Sequence, residues 1–195
     1  PVLKSCLVQG ERKVIVSIAA GLQTAYLKEK LASCGSRLQV IRVMPNTPAA
    51  IGKGMLAVAA GPEVDEENIQ AVMEILADAG RVERLSENLM DQFTVVSGCS
   101  PAFVYMFIEA LADGGVMTGL PRSQALTYAA QTVLGAAAMV LETGRHPGEL
   151  KDAVCSPAGS TIAGVAKLEE KGFRSAAIQA VKAGYDKNVE LGKVK

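Results

Sequence analysis

The chain has a single histidine, His146, in the run His146-Pro147-Gly148 ahead of a short helical pattern. Nucleophilic catalysis of the Ser-His-Asp or Cys-His kind needs a histidine oriented by a carboxylate or amide. Here the flanking proline marks a helix start, so His146 reads as a capping or surface residue rather than a base. Cys6, Cys34, Cys99 and Cys155 show neither CxxC nor Cys/His ligand spacing, which argues against a zinc site or a redox dithiol. The carboxylate pairs Glu66-Glu67 and Glu169-Glu170 fit solvated helix faces. No GxxxxGK[ST] occurs, and no GxGxxG follows a strand pattern. Gly98-Cys99-Ser100-Pro101 has the outline of a nucleophile elbow but lies between two helical patterns, without the strand–turn–helix setting an elbow requires.

What remains is Leu150–Gly164, LKDAVCSPAGSTIAG. A charged helical turn runs into Ser156-Pro157-Ala158-Gly159-Ser160, and Thr161 then opens an apolar helical pattern through Ile162, Val165, Ala166 and Leu168. Two readings stand side by side. One is a tight helix–helix connection with a capping serine. The other is an anion cradle, in which hydroxyls and the free N–H groups of a helix start hold a carboxylate. Two further loops, Ser17-Ile18-Ala19-Ala20-Gly21 and Met44-Pro45-Asn46-Thr47, close strand patterns. In an open α/β sheet that edge is where dinucleotides bind. A reaction carried by a cofactor, with the protein supplying position, fits this sparse inventory.

The elements that must hold these residues can be read along the chain. Val14–Ile18 is a β-branched strand, Leu22–Ala32 has helical spacing, Cys34-Gly35-Ser36 breaks it, and Leu38–Val43 is a second strand. A strand–helix–strand unit of this kind is expected to be parallel with a right-handed crossover. Met55–Ala60 and Val82–Leu85 are further strands flanking a helix over Asp65–Ala79. From Glu87 the pattern is helical: Asn88–Val96, Pro101–Met117, Arg122–Thr143, Pro147–Val154, Thr161–Glu170 and Phe173–Leu191, separated by glycine breaks, with Pro101, Pro121 and Pro147 at first helical positions. The expected class is α/β plus all-α: residues 1–86 as the second half of a doubly wound sheet, and residues 87–195 as a helical domain. Its helices carry Ala and Gly on several faces, as in Ala129-Ala130 and Gly135–Ala138, and are expected to pack against a symmetry mate. A self-contained bundle is the alternative.

Composition narrows the partners. Of 195 residues 49% are hydrophobic but only 4% aromatic, so cores must be built from small aliphatic side chains in close contact. Lys plus Arg and Asp plus Glu both number 20, which gives no call for nucleic acid or a membrane surface. Ala129–Val140 is apolar-rich but too short to span a bilayer. The unpatterned cysteines suit a reducing cytosol, placing the protein in the cytoplasm.

Several stretches together resemble the pyrroline-5-carboxylate reductase family. They are Arg42-Val43-Met44-Pro45-Asn46-Thr47-Pro48, Ser97-Gly98-Cys99-Ser100-Pro101-Ala102, Ala110-Leu111-Ala112-Asp113-Gly114-Gly115, and His146-Pro147-Gly148-Glu149-Leu150-Lys151-Asp152 leading to Ser156–Ile162. The resemblance runs from about Val14 to the end, with the motifs in order. It implies reduction of 1-pyrroline-5-carboxylate to L-proline with NADPH or NADH, the last step of proline biosynthesis. It also implies a Rossmann domain joined to a helical dimerisation domain, with dimers that often assemble into decamers. By the same resemblance Thr161 hydrogen-bonds the ring nitrogen of the substrate, and Ser156, Gly159 and Ser160 hold its carboxylate. Glu87 lies near the bound product; Ile18, Ala19 and Ala20 form a cofactor-contacting turn, with Asn46 and Ala153 also on the cofactor side. Ala153 stands where relatives can carry Asn, and Ala158 stands at a position that is usually Gly. The family's first strand, Gly-rich pyrophosphate turn and ribose-reading residue would all precede Pro1.

Three other readings remain open on the sequence. One is a dimerisation fragment without activity of its own. Another is a Rossmann/helical oxidoreductase of the 3-hydroxyacid dehydrogenase type, which relies on a Lys on the long helix; Pro101–Met117 contains none. The third is a purely helical interaction protein, for which the strands before residue 86 are superfluous.

Overall fold

The computed structural model describes residues 12–32 and 37–193; Cys6 and the Cys34–Ser36 break lie outside them. Four strands, β1 (Arg12–Ser17), β2 (Arg37–Met44), β3 (Gly54–Ala60) and β4 (Gly80–Arg84), form one sheet in the order β1-β2-β3-β4. Helix α1 (Thr24–Leu31) connects β1 to β2, which pair in parallel as a crossover unit should. Helix α2 (Glu66–Leu76) and a 3-10 turn (Ala77–Ala79) join β3 to β4, also parallel.

The sheet departs from uniform parallel winding between β2 and β3, which run antiparallel. The reason is length. Only residues 45–53 separate the two strands, folded around a 3-10 turn at Thr47–Ile51, and a parallel crossover needs a dozen residues or more.

Alternation along the strands sends side chains to two separate cores. Ile41 and Val43 of β2, with Val58 of β3, pack against Val64, Ile69 and Val72 on the α2 side. Met44, Ala57 and Ala59 point to the other face, where they bury Met90 with Leu85 and Phe93 alongside. Gly80 is fixed by close strand contact: it sits opposite Gly54 at φ 142°, and a Cβ there would lie 2.1 Å from the Gly54 carbonyl oxygen.

Beyond β4 the chain is helical. A 3-10 turn (Glu87–Leu89), α3 (Met90–Phe93), a π-helical turn (Thr94–Cys99) and α4 (Ser100–Met117) follow one another directly. The expected break at Gly98 is therefore a π-turn within one continuous run, and Pro101 is interior rather than initial. Then come α5 (Arg122–Thr143), α6 (Pro147–Ala153), α7 (Ser160–Glu170) and α8 (Phe173–Lys193). Pro147 opens α6 as expected, whereas Pro121 is the residue just before α5.

The chain divides into two compact units. One runs to Pro101 and resumes at Val181; the other is Ala102–Ala180. The first unit takes in Met90 and Ser97, because Met90 belongs to the sheet's second core and Asn46 is tied to Ser97. The end of α8 also joins the first unit: the Asn188 amide donates to Asp91 Oδ1 at 2.9 Å, and Gly184 lies close against Val95.

Within the second unit, Ala112, Ala125 and Ala129 are the buried contacts, flanked by Ile108 and Val116. Most of the apolar surface of α4 and α5 stays outside, including Met106 (69% exposed), Leu134 (58%) and Leu141 (71%). By length and composition alone, Glu87–Met117 and Arg122–Thr143 are each sufficient to cross a membrane. The same exposed apolar faces equally suit a protein partner.

Candidate functional site

The candidate residues divide between the two units. Ile18, Ala19, Ala20, Asn46 and Glu87 belong to the first; Ala153, Ser156, Gly159, Ser160 and Thr161 belong to the second.

In the second unit, α6 begins at Pro147 with His146 as its N-cap, whose Nδ1 accepts from the Gly148 N–H at 3.1 Å. The histidine is thus a structural cap, as the sequence suggests. Ala153 closes α6 with its side chain exposed. Lys151 in the same helix hydrogen-bonds Asp152, and that carboxylate holds its ammonium pKa above the ordinary value.

The chain then turns through Ser156–Gly159, closed by the Gly159 N–H donating to the Ser156 carbonyl at 3.0 Å. Ala158 adopts φ 57°, and it is the single non-glycine residue in the left-handed region among the described residues. Gly159 is the N-cap of α7, and no side chain caps this helix. A Cβ on Gly159 would lie 2.4 Å from Ser156 Oγ, so the absence of a side chain lets that hydroxyl sit against the helix start.

The first intrahelical bond runs from the Ala163 N–H to the Gly159 carbonyl. The amides of Ser160, Thr161 and Ile162 therefore stand ahead of the helical ladder, with the partial positive charge of the helix end behind them. The hydroxyl residues Ser156, Ser160 and Thr161 are all exposed around this point. The donor set suits one carboxylate plus a neighbouring hydrogen-bonding atom. Of the two sequence readings, a side-chain-capped connection is not what forms.

In the first unit, β1 ends at Ser17, and the turn that follows places Ile18 at 67% exposure, with Ala19 donating to Ser17 Oγ at 3.4 Å. This turn stands at the C-terminal end of a strand, the edge where open α/β sheets bind dinucleotides.

Asn46 has a different setting from a free cofactor ligand. Its Nδ2 donates to the Ser97 carbonyl at 3.1 Å and to Ser97 Oγ at 3.3 Å, and its Oδ1 accepts from the Met55 N–H at 3.0 Å. In α-helical register the donor to the Ser97 carbonyl would be residue 101, a proline without N–H. The Asn46 amide supplies that missing donor. Its carbonyl also accepts from the Ala49 N–H at 3.1 Å, so what Asn46 has left for a ligand is one lone pair on each oxygen.

Glu87 is likewise committed. Oε1 accepts from the Thr24 N–H at 2.7 Å, Oε2 accepts from Thr24 Oγ at 2.6 Å, and Arg42 Nη1 reaches Oε1 at 3.3 Å. Arg42 is buried on β2 with 3% of its side chain exposed, and its Nη2 is buried without a hydrogen-bond partner among the described residues. Thr24, Arg42 and Ser97 were not among the residues expected from sequence. Arg42 did leave a signal, a lone charge inside the apolar run Val40–Met44, which demands a buried partner.

Comparison with known proteins supplies the context. Residues 87–191 match the family model described as pyrroline-5-carboxylate reductase dimerisation. A pyrroline-5-carboxylate reductase of Synechocystis is 47% identical over 192 residues, covering 98% of this chain and 70% of the relative. That of Escherichia coli is 48% identical over 180 residues, covering 92% of this chain and 66% of the relative. Among solved structures, the Plasmodium falciparum enzyme with NADP bound superposes with a TM-score of 0.84 at 35% identity, covering 92% of this chain and 71% of that one. The Coxiella burnetii enzyme gives 0.87 at 30% identity, covering 97% and 69%. These likenesses identify the mixed sheet and following helices as a Rossmann-type region joined to a helical one. The chain belongs to the pyrroline-5-carboxylate reductase family.

Proposed function

We propose that the protein reduces 1-pyrroline-5-carboxylate to L-proline with NAD(P)H, the last step of proline biosynthesis, and that the start of α7 is where the imine acid is held. The observation that carries the assignment is the uncapped N-terminus of α7, framed by Ser156, Gly159, Ser160 and Thr161. The substrate carboxylate takes the amides of Ser160 and Thr161 and the Ser156 hydroxyl, in a field that favours an anion. Thr161, one residue into the helix, then presents its hydroxyl to the ring nitrogen. An alcohol of ordinary acidity acts there as a hydrogen-bond partner that orients the imine, not as a strong acid.

When bound, the dinucleotide supplies hydride to the imine carbon. On this chain the turn Ile18-Ala19-Ala20 would hold it, with the backbone of Asn46 as a further contact in the same unit. The protein's share of catalysis is orientation, fixing one face of the imine through the carboxylate.

Self-association belongs to the same reading. The matched dimerisation region carries the exposed apolar helices α4 and α5, and a second copy is the partner those faces require. A decamer built from such dimers is the higher assembly proposed. Cys99 and Cys155 are free thiols, as suits a cytoplasmic enzyme; neither nucleic acid nor membrane is part of this reading.

The test is Thr161→Ala in the full-length protein. Loss of one positioned hydrogen bond to the reacting nitrogen is expected to lower kcat about a hundredfold. The KM for NAD(P)H should stay within about twofold, and Thr161→Ser should recover most of the rate. Unaltered turnover in the alanine variant would remove Thr161 from the site.

A further inference from the structure

We infer that Glu87 is a positioning residue for the cofactor turn, acting through Thr24 and Arg42 and not by touching the substrate; the inference rests on the reductase reading above. The loop 18–23 carries the proposed cofactor contacts and leaves β1 at Ser17. Its far end is Thr24, the first residue of α1. Ser17 is the strand partner of Arg42 across the β1–β2 ladder. Thr24 is held through both its N–H and its hydroxyl by the two Glu87 oxygens, at 2.7 and 2.6 Å. Arg42, from the strand that pairs with Ser17, reaches the same carboxylate. The carboxylate thereby holds the far end of the loop at Thr24, while the near end is held at Ser17 by the β1–β2 ladder.

Existing hydrogen bonds separate this role from direct contact. Thr24 is 5% exposed; the Arg42 side chain is 3% exposed and borders a small cavity with Gly21 and Gln23. Both Glu87 oxygens already accept from protein donors. The carboxylate also replaces the cap that α1 lacks, since Gln23 at the N-cap position makes no side-chain bond. A negative charge at a helix N-terminus is favourable in its own right. Without the clamp the loop keeps its Ser17 anchor in the ladder and loses the one at Thr24.

The experiment measures steady-state rates in the full-length protein with each substrate varied in turn. Glu87→Gln removes the charge and one acceptor, and is expected to raise the KM for NAD(P)H about tenfold while the KM for the imine stays within about twofold. Thr24→Val, which keeps the backbone N–H, should move the cofactor KM in the same direction by less, and Thr24→Ser should restore it. Equilibrium titration of NAD(P)H by its fluorescence, with no second substrate, should rank the variants identically. That titration separates the two ideas: a wild-type protein that binds NAD(P)H without reducing the imine would sink the reductase reading and still decide the clamp. Should Glu87→Gln fail to fold, the two Thr24 variants carry the decision. The inference is overturned if Glu87→Gln raises the imine KM with the cofactor KM unchanged, or if neither Glu87→Gln nor Thr24→Val alters cofactor affinity.

Discussion

At Ala158 a residue with a Cβ holds a backbone conformation suited to glycine, at φ 57°. The left-handed region costs an L-residue roughly 1–2 kcal/mol relative to glycine. Replacing Ala by Gly also loosens the unfolded chain, which takes back roughly 0.4–1 kcal/mol. The first effect is the larger, so Ala158→Gly should stabilise the protein by about 0.5–1 kcal/mol in denaturant titrations. A destabilised variant would mean that the turn is not strained. The sequence already flagged this position, because SPAG stands where the resembling family has SPGG. It did not reveal that the turn keeps its left-handed shape regardless. Gly159 next door is constrained by contact: Gly159→Ala would drive a methyl into Ser156 Oγ, so Ser156 must swing away and the cradle lose a donor. That variant should raise the KM for the imine by about tenfold, with the KM for NAD(P)H as the control that should not follow.

Asn46 shows how an element can depend on a side chain far from it in sequence. The π-turn at Thr94–Cys99 and the proline that follows leave the Ser97 carbonyl without its helical donor, and Asn46 fills that place from the β2–β3 connection. Asn46→Ala would remove that donor together with the acceptor for the Met55 N–H, leaving partly buried polar groups unpaired. The expected loss is about 2–4 kcal/mol, read as a lower denaturant midpoint. Asn46→Asp should be worse than Asn46→Leu, since it sets a carboxylate against two oxygens. The strands and most helices were legible because short apolar runs such as Leu38–Val43 and long ones closed by glycine, such as Arg122–Thr143 before Gly144, settle locally. The helix start at Ser156–Thr161 was legible for a similar reason, because the turn and its hydroxyls are neighbours in the chain. The clamp of Glu87 on Thr24 was not legible, because it joins residues 63 apart in the chain; neither was the π-turn in place of a break at Gly98. The antiparallel pairing of β3 with β2 follows from the span 45–53, which is too short for a parallel crossover.

For the whole molecule, the two units differ in how they meet water. The sheet unit buries Ile41, Leu56, Ile69 and Met90 completely, whereas the helical unit buries little beyond Ala112, Ala125 and Ala129. An apolar helix left open to water is costly at roughly 25 cal/mol per Å² of apolar surface. The structural economy of a chain with few aromatics and many alanines thus points to close helix contact between copies, in the region that matches a dimerisation family. Leu134 and Leu141 lie two turns apart on one stripe of α5, at 58% and 71% exposure. Placing a carboxylate at both, as Leu134→Glu with Leu141→Glu, would set like charges and unpaired anions into such an interface. If this stripe is the seam, light scattering should report the mass falling to that of a single chain. NAD(P)H fluorescence should still register cofactor binding, because the clamp of Thr24, Arg42 and Glu87 lies wholly within the sheet unit. A variant that keeps the wild-type mass would move the seam to another face of α4 or α5, and a variant that loses cofactor binding along with its mass would show that the sheet unit depends on the assembly for its own fold.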